Sequence, residues 1–346
     1  MQLGLIGLGA MGQGMARNLA KAGYLAAVYN RTHSKAEALA TELQVQACAS
    51  IEQLAGQVDV VLICVSADKD VLLVVDAVGK TIRPGGVVID MSTVSSETAL
   101  VAAQKLAEKQ AKFLDAPVSG GVEGANKGTL AMMVGGDAQI LERVRPILAA
   151  MTARIEHMGG VGAGQACKAV NQIMCAGINQ AVTEALAFAE AQGLPMEKVI
   201  EVVSGGAAGN WFLQHRGKTM TQNQFPPGFK LALHHKDLKI AQHMAQHLGV
   251  GCPLTVTTLA DYAKLMAKGY GDEDISALYR LKQKRSSNYF TRCNDENYGV
   301  WQWICRFGDG RLYGRSGQSS AVYGCRPTQN RPTQAGCHPH LRAGLG

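Results

Sequence analysis

Short apolar runs alternate with amphipathic segments of helical spacing along the first 160 residues of the chain. Six of these runs predict β-strands: Leu3–Ile6, Leu25–Tyr29, Val58–Val65, Val87–Met91, Lys112–Ala116 and Leu130–Val134. The segments between them predict helices, among them Met11–Ala22, Lys35–Leu43 and Glu97–Glu108. Because strands that alternate with helices are typical of βαβ units, the pattern predicts a largely parallel sheet with helices on both faces.

The pattern changes after Gly162, where the strand signals stop and long Ala-rich segments begin. Four of these segments predict helices: Ala163–Gln192, Lys198–Ser204, Leu233–Leu248 and Leu254–Lys268. The first would run about 45 Å at 1.5 Å per residue, long enough to span two domains. The predicted fold class is therefore α/β, with a doubly wound N-terminal domain over residues 1–162 and an all-helical domain over residues 163–283.

The composition changes again at about Lys284. Residues 284–346 are rich in Arg, Gly, Ser, Thr, Asn and Gln, and they hold four of the nine cysteines and two of the three tryptophans. They show no sustained periodicity, so no fold is predicted for them. The change favours a shifted reading frame or a similar sequence artefact, and a genuine basic interaction tail is the alternative.

Charge and composition exclude several classes of function. The net charge is +7, but residues 284–346 carry nine Lys and Arg against three Asp and Glu, so residues 1–283 carry only +1. A nearly neutral body gives no electrostatic reason to expect a nucleic-acid partner. No apolar run reaches the roughly 18–20 residues of a membrane span, and the N-terminus lacks the basic region of a signal peptide. The nine cysteines form no Cys-x-x-Cys pair, so we expect reduced thiols in a cytoplasmic protein.

A glycine-rich loop is the first chemical signal. The motif Gly7-Leu8-Gly9-Ala10-Met11-Gly12 follows a predicted strand and opens a predicted helix, which is the context that a dinucleotide-binding loop of the Rossmann type requires. The first glycine permits a tight turn, the second lets a pyrophosphate approach the backbone, and the third lets the helix pack on the strand. The free N–H groups at the start of the helix would face the anion.

The end of the second strand bears on the choice of cofactor. An acidic residue is expected there when NAD is bound, but this chain has Asn30, followed by Arg31, Thr32 and Lys35. An Asn does not repel a 2′-phosphate, and an Arg guanidinium binds one through charge-assisted hydrogen bonds. We therefore favour NADP(H), while NAD(H) remains possible if Arg31 is only a solvated surface residue.

Four further segments complete a family pattern: Asp90–Thr93, Asp115–Gly121, Gly162–Gln172, and Pro227–Lys230 leading to His235–Leu238. Together with the glycine loop they resemble the β-hydroxyacid dehydrogenase family, which includes 3-hydroxyisobutyrate dehydrogenases, tartronate semialdehyde reductases and succinic semialdehyde reductases. The resemblance runs from residue 1 to about 283, and the residues beyond match nothing in the family. It implies hydride transfer between a nicotinamide cofactor and a small hydroxyacid or its semialdehyde, in a homo-oligomer.

The resemblance also implies roles for particular residues. Lys168 would be the catalytic acid/base, since a lysine can protonate a developing alkoxide when burial lowers its pKa. Asn171, three residues later on the same helix face, would be its catalytic partner. The implied substrate-binding residues are Ser119, Gly120, Gly121, Gln172 and Lys236. The implied cofactor contacts beyond the glycine loop are Asn30, Arg31, Thr32, Lys35, Val65, Ser66, Thr93, Phe229 and Lys236.

Two alternatives stay open at this point. An imine reductase shares the architecture but commonly lacks the lysine, and a non-catalytic dinucleotide-binding module would bind the cofactor without turnover. A metal site is not predicted: His243 and His247 lie four apart, but Met244 stands where the zinc motif His-Glu-x-x-His needs a glutamate.

Overall fold

The computed structural model describes residues 1–283, 311–316 and 319–324, and residues 1–283 lie within one compact unit. The six predicted strands are all present, with ends shifted by at most two residues: Leu3–Ile6 (β1), Leu25–Tyr29 (β2), Val60–Ile63 (β4), Val87–Asp90 (β5), Lys112–Asp115 (β6) and Leu130–Gly136 (β8). Three short or polar strands were not predicted: Gln46–Ala47 (β3), Val118–Ser119 (β7) and Thr152–Gly159 (β9).

The strands form one sheet in the order β3-β2-β1-β4-β5-β6-β8-β7, and β9 pairs with β8. The pairs from β3 to β6 and the β8–β9 pair are parallel, whereas β8 runs antiparallel to β6 and β7. The prediction of a largely parallel sheet is thus confirmed. The chain reverses direction across the sheet between β1 and β4, and ligands bind outside the carboxyl ends of strands at such a switch point.

Alternate residues of the central strands pack into two different cores. Val60 and Leu62 of β4 face one core, and Val61 and Ile63 face the other. Every residue of this strand is buried, as its continuous apolar sequence predicts for a strand covered on both faces. The helices that cover the sheet are Ala10–Lys21 (α1), His33–Leu43 (α2), Ile51–Gln57 (α3), Asp68–Val78 (α4), Ser96–Ala107 (α5), Gly121–Lys127 (α6) and Ala138–Leu148 (α7).

A helical domain follows the sheet. Its helices are Ala163–Ala191 (α8), Met196–Ser204 (α9), Trp211–Thr221 (α10), Leu231–His247 (α11), Pro253–Met266 (α12) and Tyr279–Lys282 (α13). They share a third apolar core, in which Tyr262 and Tyr279 are the largest fully buried side chains. The long helix α8 packs against β8 at one end and against α11 further along, as its predicted length allows. The all-helical character of this domain is confirmed, and its proposed limits at residues 163 and 283 stay a prediction.

Residues Arg311–Ser316 (β10) and Ser319–Gly324 (β11) form an antiparallel hairpin with Arg311 opposite Gly324. Apart from these two strands, residues 284–346 lie outside the described residues. The interpretation of this segment as an atypical basic tail or a shifted reading frame therefore concerns residues that the structure does not describe. Among the helices of residues 1–283, none combines the length and the apolar character that a bilayer crossing requires.

Candidate active site

The carboxyl ends of four neighbouring strands bring the predicted cofactor residues to one edge of the sheet. Gly7 follows β1, Asn30 follows β2, Cys64 and Val65 follow β4, and Ser92 and Thr93 lie just beyond β5. The backbone N–H of Val65 donates a 2.9 Å hydrogen bond to the Ser92 hydroxyl, which ties two of these loops together. The edge therefore gathers loops that are distant in sequence.

The glycine loop fits a pyrophosphate. Gly7 has a φ of +100°, and a Cβ there would collide with the carbonyl of Cys64. A Cβ on Gly12 would collide with the carbonyl of Gly7, whereas the Cβ position of Gly9 faces open space. Gly9 caps α1 without a side-chain hydrogen bond, and the first turn of α1 holds no acidic residue. The positive end of this helix dipole is thus exposed beside a backbone that an anion can approach closely.

Asn30 supports this loop from β2. Its Oδ1 accepts a 3.0 Å hydrogen bond from the backbone N–H of Leu8, and its Nδ2 donates to the carbonyl of Thr32. The Arg31 side chain is 92% exposed, and its only close carboxylate among the described residues is Asp70, at 3.9 Å. Thr32 and Lys35 are exposed at the start of α2, and Ser66 is exposed after β4. The Arg31 guanidinium is therefore exposed to solvent beside the loop with only a long ion pair to Asp70, while the amide of Asn30 is already engaged.

The N-terminus of α8 is fixed by a buried carboxylate at the end of β6. Asp115 accepts a 2.7 Å hydrogen bond from the N–H of Gly162 and a 2.9 Å bond from the N–H of Gln165. The Gln165 side chain donates to the carbonyl of Ser92 and accepts from the N–H of Val94. Burial raises the pKa of Asp115, and the backbone N–H donors oppose that rise. Sequence reasoning assigned no role to Gln165, although its buried amide joins the helix to the β5 loop.

Lys168 lies one turn further along α8 and is buried. Burial lowers the pKa of its ammonium, while the nearby Asp237 carboxylate opposes that change. Among residues 1–283, its amine makes neither a hydrogen bond nor an ion pair, although these would stabilise the charged form. A buried amine with a lowered pKa releases its proton more readily than an exposed lysine does, which suits it to proton transfer.

A chain of polar contacts runs from the sheet edge past this lysine. Ser119 donates to the Oδ1 of Asn171 over 3.4 Å, and the Nδ2 of Asn171 donates to the Oε1 of Gln172 at 2.7 Å. The Nε2 of Gln172 then donates to the buried carboxylate of Asp237 at 2.6 Å. Four side chains from β7, α8 and α11 are thus held in one arrangement.

The same chain returns to the sheet through Lys236. Its ammonium lies 2.9 Å from Asp237 and donates a 2.7 Å hydrogen bond to the carbonyl of Thr93. A neighbouring Lys–Asp pair on a helix is usually solvated, but here Asp237 is buried. Sequence reasoning gave Asp237 no role, and only its contacts with Gln172 and Lys236 identify it as part of the site.

A buried histidine holds α11 against α8. The Nε2 of His234 donates to the carbonyl of Gln172 at 3.2 Å, and its Nδ1 lies 3.0 Å from the hydroxyl of Tyr262. Burial lowers the pKa of His234 to about 4, so the ring is neutral at physiological pH. The predicted cofactor residue Phe229 packs beside it, with ring centroids 5.4 Å apart.

The Gly120-Gly121 turn faces the helical domain. Gly120 has a φ of +129° and caps α6 without a side-chain hydrogen bond, and the Cβ position of Gly121 lies 3.3 Å from the carbonyl of Gly228. Gly228 and Phe229 each donate a 3.0 Å backbone hydrogen bond to the buried carboxylate of Asp274. The structure thereby brings the glycine turn close to the Pro227–Lys230 segment.

Comparisons with known proteins bear on this arrangement. Residues 2–160 match the model for the NAD binding domain of 6-phosphogluconate dehydrogenase, and residues 162–282 match the model for the NAD-binding domain of NADP-dependent 3-hydroxyisobutyrate dehydrogenase. The chain is 38% identical to the 2-hydroxy-3-oxopropionate reductase of Escherichia coli, over 80% of this chain and 96% of the relative. The chain belongs to the β-hydroxyacid dehydrogenase family.

Two further relatives show how the family varies. The NAD-dependent L-serine dehydrogenase of Pseudomonas aeruginosa is 35% identical over 81% of this chain and 97% of its own length. The structure of the Mycobacterium tuberculosis 3-hydroxyisobutyrate dehydrogenase with L-serine has a TM-score of 0.75 and 33% identity, and the match covers 82% of this chain and all of that one. This chain is therefore an NAD(P)-dependent oxidoreductase of small hydroxyacids. Hydroxyacid oxidation is thus favoured over the imine-reductase and non-catalytic alternatives.

Proposed function

We propose that this protein interconverts a small β-hydroxyacid and its semialdehyde with NADP(H), and that Lys168 moves the hydroxyl proton. One observation carries the proposal: the amine of Lys168 is buried, has no partner in residues 1–283 and belongs to a helix whose start is fixed to the sheet edge. When bound, the nicotinamide donates or accepts the hydride. The residues of this chain then have to bind the carboxylate, orient the hydroxyl group and carry its proton.

Lys168 would act on the hydroxyl oxygen. In the oxidation direction the neutral amine accepts the hydroxyl proton, and in the reduction direction the ammonium returns it to the developing alkoxide. Burial favours the neutral form of the amine and the Asp237 carboxylate favours the charged form. Burial is the larger effect, so the pKa of Lys168 is lowered. Asn171, oriented by Ser119 and Gln172, would donate to or accept from the same oxygen.

The substrate carboxylate would bind at the glycine turn. The small residues of Ser119-Gly120-Gly121 would let the carboxylate approach their backbone N–H groups closely, and Gly120 caps α6 without a side-chain hydrogen bond. Gln172 would orient the substrate from α8. Lys236 adds a positive charge at the β5 loop.

The cofactor would lie along the carboxyl edge of the sheet. Its pyrophosphate would contact the glycine loop, Gly7–Gly12, and its nicotinamide half would reach Val65, Ser66, Thr93 and Phe229. The exposed Arg31, with Thr32 and Lys35 at the start of α2, would bind the 2′-phosphate of NADP(H). The choice of NADP(H) rests on that exposed guanidinium and on the absence of an acidic residue at position 30.

We place the protein in the cytoplasm as a homo-oligomer. The five cysteines in the described part of the chain are free thiols, which agrees with a reducing compartment. Large apolar side chains are exposed along α8, namely Val170, Met174 and Phe188. Large apolar side chains exposed along one helix favour contact with a second copy.

The test is substitution of the lysine. Lys168→Ala should lower kcat by about 10²–10⁴-fold while the affinity for NADPH stays within about threefold, because the amine acts on substrate and not on the dinucleotide. Assays with 3-hydroxyisobutyrate, L-serine and tartronate semialdehyde, each with both cofactors, identify the substrate. Lys105→Ala, which removes an exposed lysine paired with Asp76, is the control. Full activity in Lys168→Ala would disprove the role, and loss of folding is checked by circular dichroism.

A further inference from the structure

Three metal-ligating side chains from different parts of the chain meet on the surface. Glu97 lies in the first turn of α5, beside the sheet, and His243 and His247 lie one turn apart near the end of α11 in the helical domain. One ligand atom from each lies within 4.8 Å of the other two, and all three side chains are exposed. The two imidazole rings have centroids 4.2 Å apart.

This donor set matches a particular class of ion. Two imidazoles and one carboxylate are ligands that zinc and its first-row neighbours prefer, and they leave a fourth position open to water. Ligand atoms around a tetrahedral zinc lie about 3.4 Å apart. The three side chains are exposed, so changes of rotamer can bring ligand atoms that lie within 4.8 Å of one another to that spacing.

The third ligand is visible only in the folded chain. The spacing of His243 and His247 on one helix allows both to bind one ion, but residues 238–260 contain no carboxylate to complete the site. The fold places Glu97, 146 positions before His243, against the same helix face. We propose that Glu97, His243 and His247 form a binding site for a divalent transition metal of the zinc class, and that the bound ion links the sheet domain to the helical domain.

The position of the cluster gives the link a physical consequence. Thr93, four residues before Glu97, accepts the hydrogen bond from Lys236, which lies about two turns before His243 on α11. The ion would thus add a second connection between the same two segments. Because it binds this arrangement more tightly than one in which α5 and α11 separate, it stabilises the folded chain, and the stabilisation grows with the logarithm of the ion concentration above Kd.

Calorimetric titration of the full chain with Zn²⁺ at pH 7.5 tests the site. His243→Ala and His247→Ala should each remove one binding equivalent or weaken it at least about tenfold, since loss of even an outer partner costs that much. Residues 284–346 contain four cysteines and two histidines that can also bind zinc, so the readout is the difference from the unmodified chain. His33→Ala, which removes an exposed histidine 3.5 Å from Glu37, is the matched control and should change nothing.

Glu97→Gln tests the link between the domains. It should weaken the same equivalent as the histidine variants, and it should reduce the rise in Tm that Zn²⁺ produces in the unmodified chain. If Glu97→Gln binds zinc as tightly as the unmodified chain, the ion binds α11 alone and the proposal is wrong. It is equally wrong if neither histidine variant loses an equivalent, since the zinc then binds elsewhere in the chain.

Discussion

The carboxylate of Asp115 accepts a 2.9 Å hydrogen bond from the backbone N–H of Gln165, three residues before Lys168. The same carboxylate accepts from Gly162, so a strand end of the sheet caps the helix that carries the lysine. Unpaired N–H groups at a buried helix start are costly, and the cap removes that cost while fixing the position of the helix. The position of the amine is therefore coupled to the β6 strand.

Asp115→Asn should lower both stability and kcat. An amide has one acceptor oxygen, so one of the two N–H groups would face an NH₂ group, at a cost of about 1–3 kcal/mol. Asp137→Asn is the matched control, because Asp137 caps α7 through Gln139 and Ile140. Its Oδ1 accepts from both N–H groups, and an Asn side chain keeps that oxygen, so we expect little change in stability and none in kcat. Urea unfolding and steady-state kinetics measure both, and equal kcat values in the two variants would contradict a positioning role for Asp115.

Asp237→Asn should shift the pH profile of oxidation toward lower pH. The Asp237 carboxylate raises the pKa of Lys168 against the effect of burial, so its removal lets the amine lose its proton at lower pH. An Asn oxygen still accepts from Gln172, which preserves the packing. The rising limb of kcat/KM against pH is the measurement. A limb that stays in place or moves to higher pH would show that Asp237 does not act on the lysine.

Asp90→Asn should stabilise the fold more at pH 8 than at pH 5. Burial raises the pKa of Asp90 to about 7, and its Oδ2 has no hydrogen-bond partner among residues 1–283. Between about pH 4 and pH 7 the Asp90 carboxyl is protonated in the folded state and ionised in the unfolded state. The contribution of Asp90 to stability therefore falls as pH rises through that window. Between pH 5 and pH 8, the free energy of unfolding of the variant relative to that of the unmodified chain should rise by up to about 3 kcal/mol.

The stability of Asp90→Asn must be compared with that of the unmodified chain at each pH, because His234 changes stability with pH in the opposite direction. Its pKa of about 4 makes the unfolded state bind the extra proton below about pH 6.5, so its contribution to stability rises with pH. That contribution cancels when Asp90→Asn and the unmodified chain are unfolded in urea at the same two pH values. An equal difference in stability at both pH values would mean that Asp90 has an ordinary pKa.

Arg31→Ala should reduce kcat/KM with NADPH by about 10–100-fold and change the value with NADH by less than about threefold. The reason is that a guanidinium contributes to binding mainly where the 2′-phosphate supplies charge. Arg154→Ala, which removes another exposed arginine paired with Glu156, is the control and should leave both values unchanged. A similar loss with both cofactors would remove Arg31 from the 2′-phosphate site.

A chain that ends at Gln283 should fold and keep kcat/KM within about twofold of the full chain, since a domain with its own core folds independently. Every residue of the proposed site and all three apolar cores lie within residues 1–283. Thermal unfolding and activity of the two chains provide the comparison. Insolubility or loss of activity would show that residues 284–346 contribute to the fold or the site.

Strongly periodic segments could be predicted, and weakly periodic ones could not. The continuous apolar sequence of Val60–Ile63 identified a central strand, and the long Ala-rich pattern identified α8 within one residue at its end. The strand Thr152–Gly159 was missed because most of its side chains are exposed or half-buried, so its sequence has no apolar run. The helix Trp211–Thr221 was missed for a similar reason, since polar residues interrupt its apolar face.

By itself, the sequence determined the features that depend on neighbouring residues: the periodicity of the central strands and long helices, and the glycine loop, whose backbone conformation only glycine adopts freely. The tertiary structure alone decided which distant polar groups meet, as Gln172 does with Asp237, 65 positions later, and Glu97 with His243. The physical reason is that the pKa of Lys168 is set by its burial and by the approach of the Asp237 carboxylate. Both depend on packing between elements, which no local pattern of residues encodes.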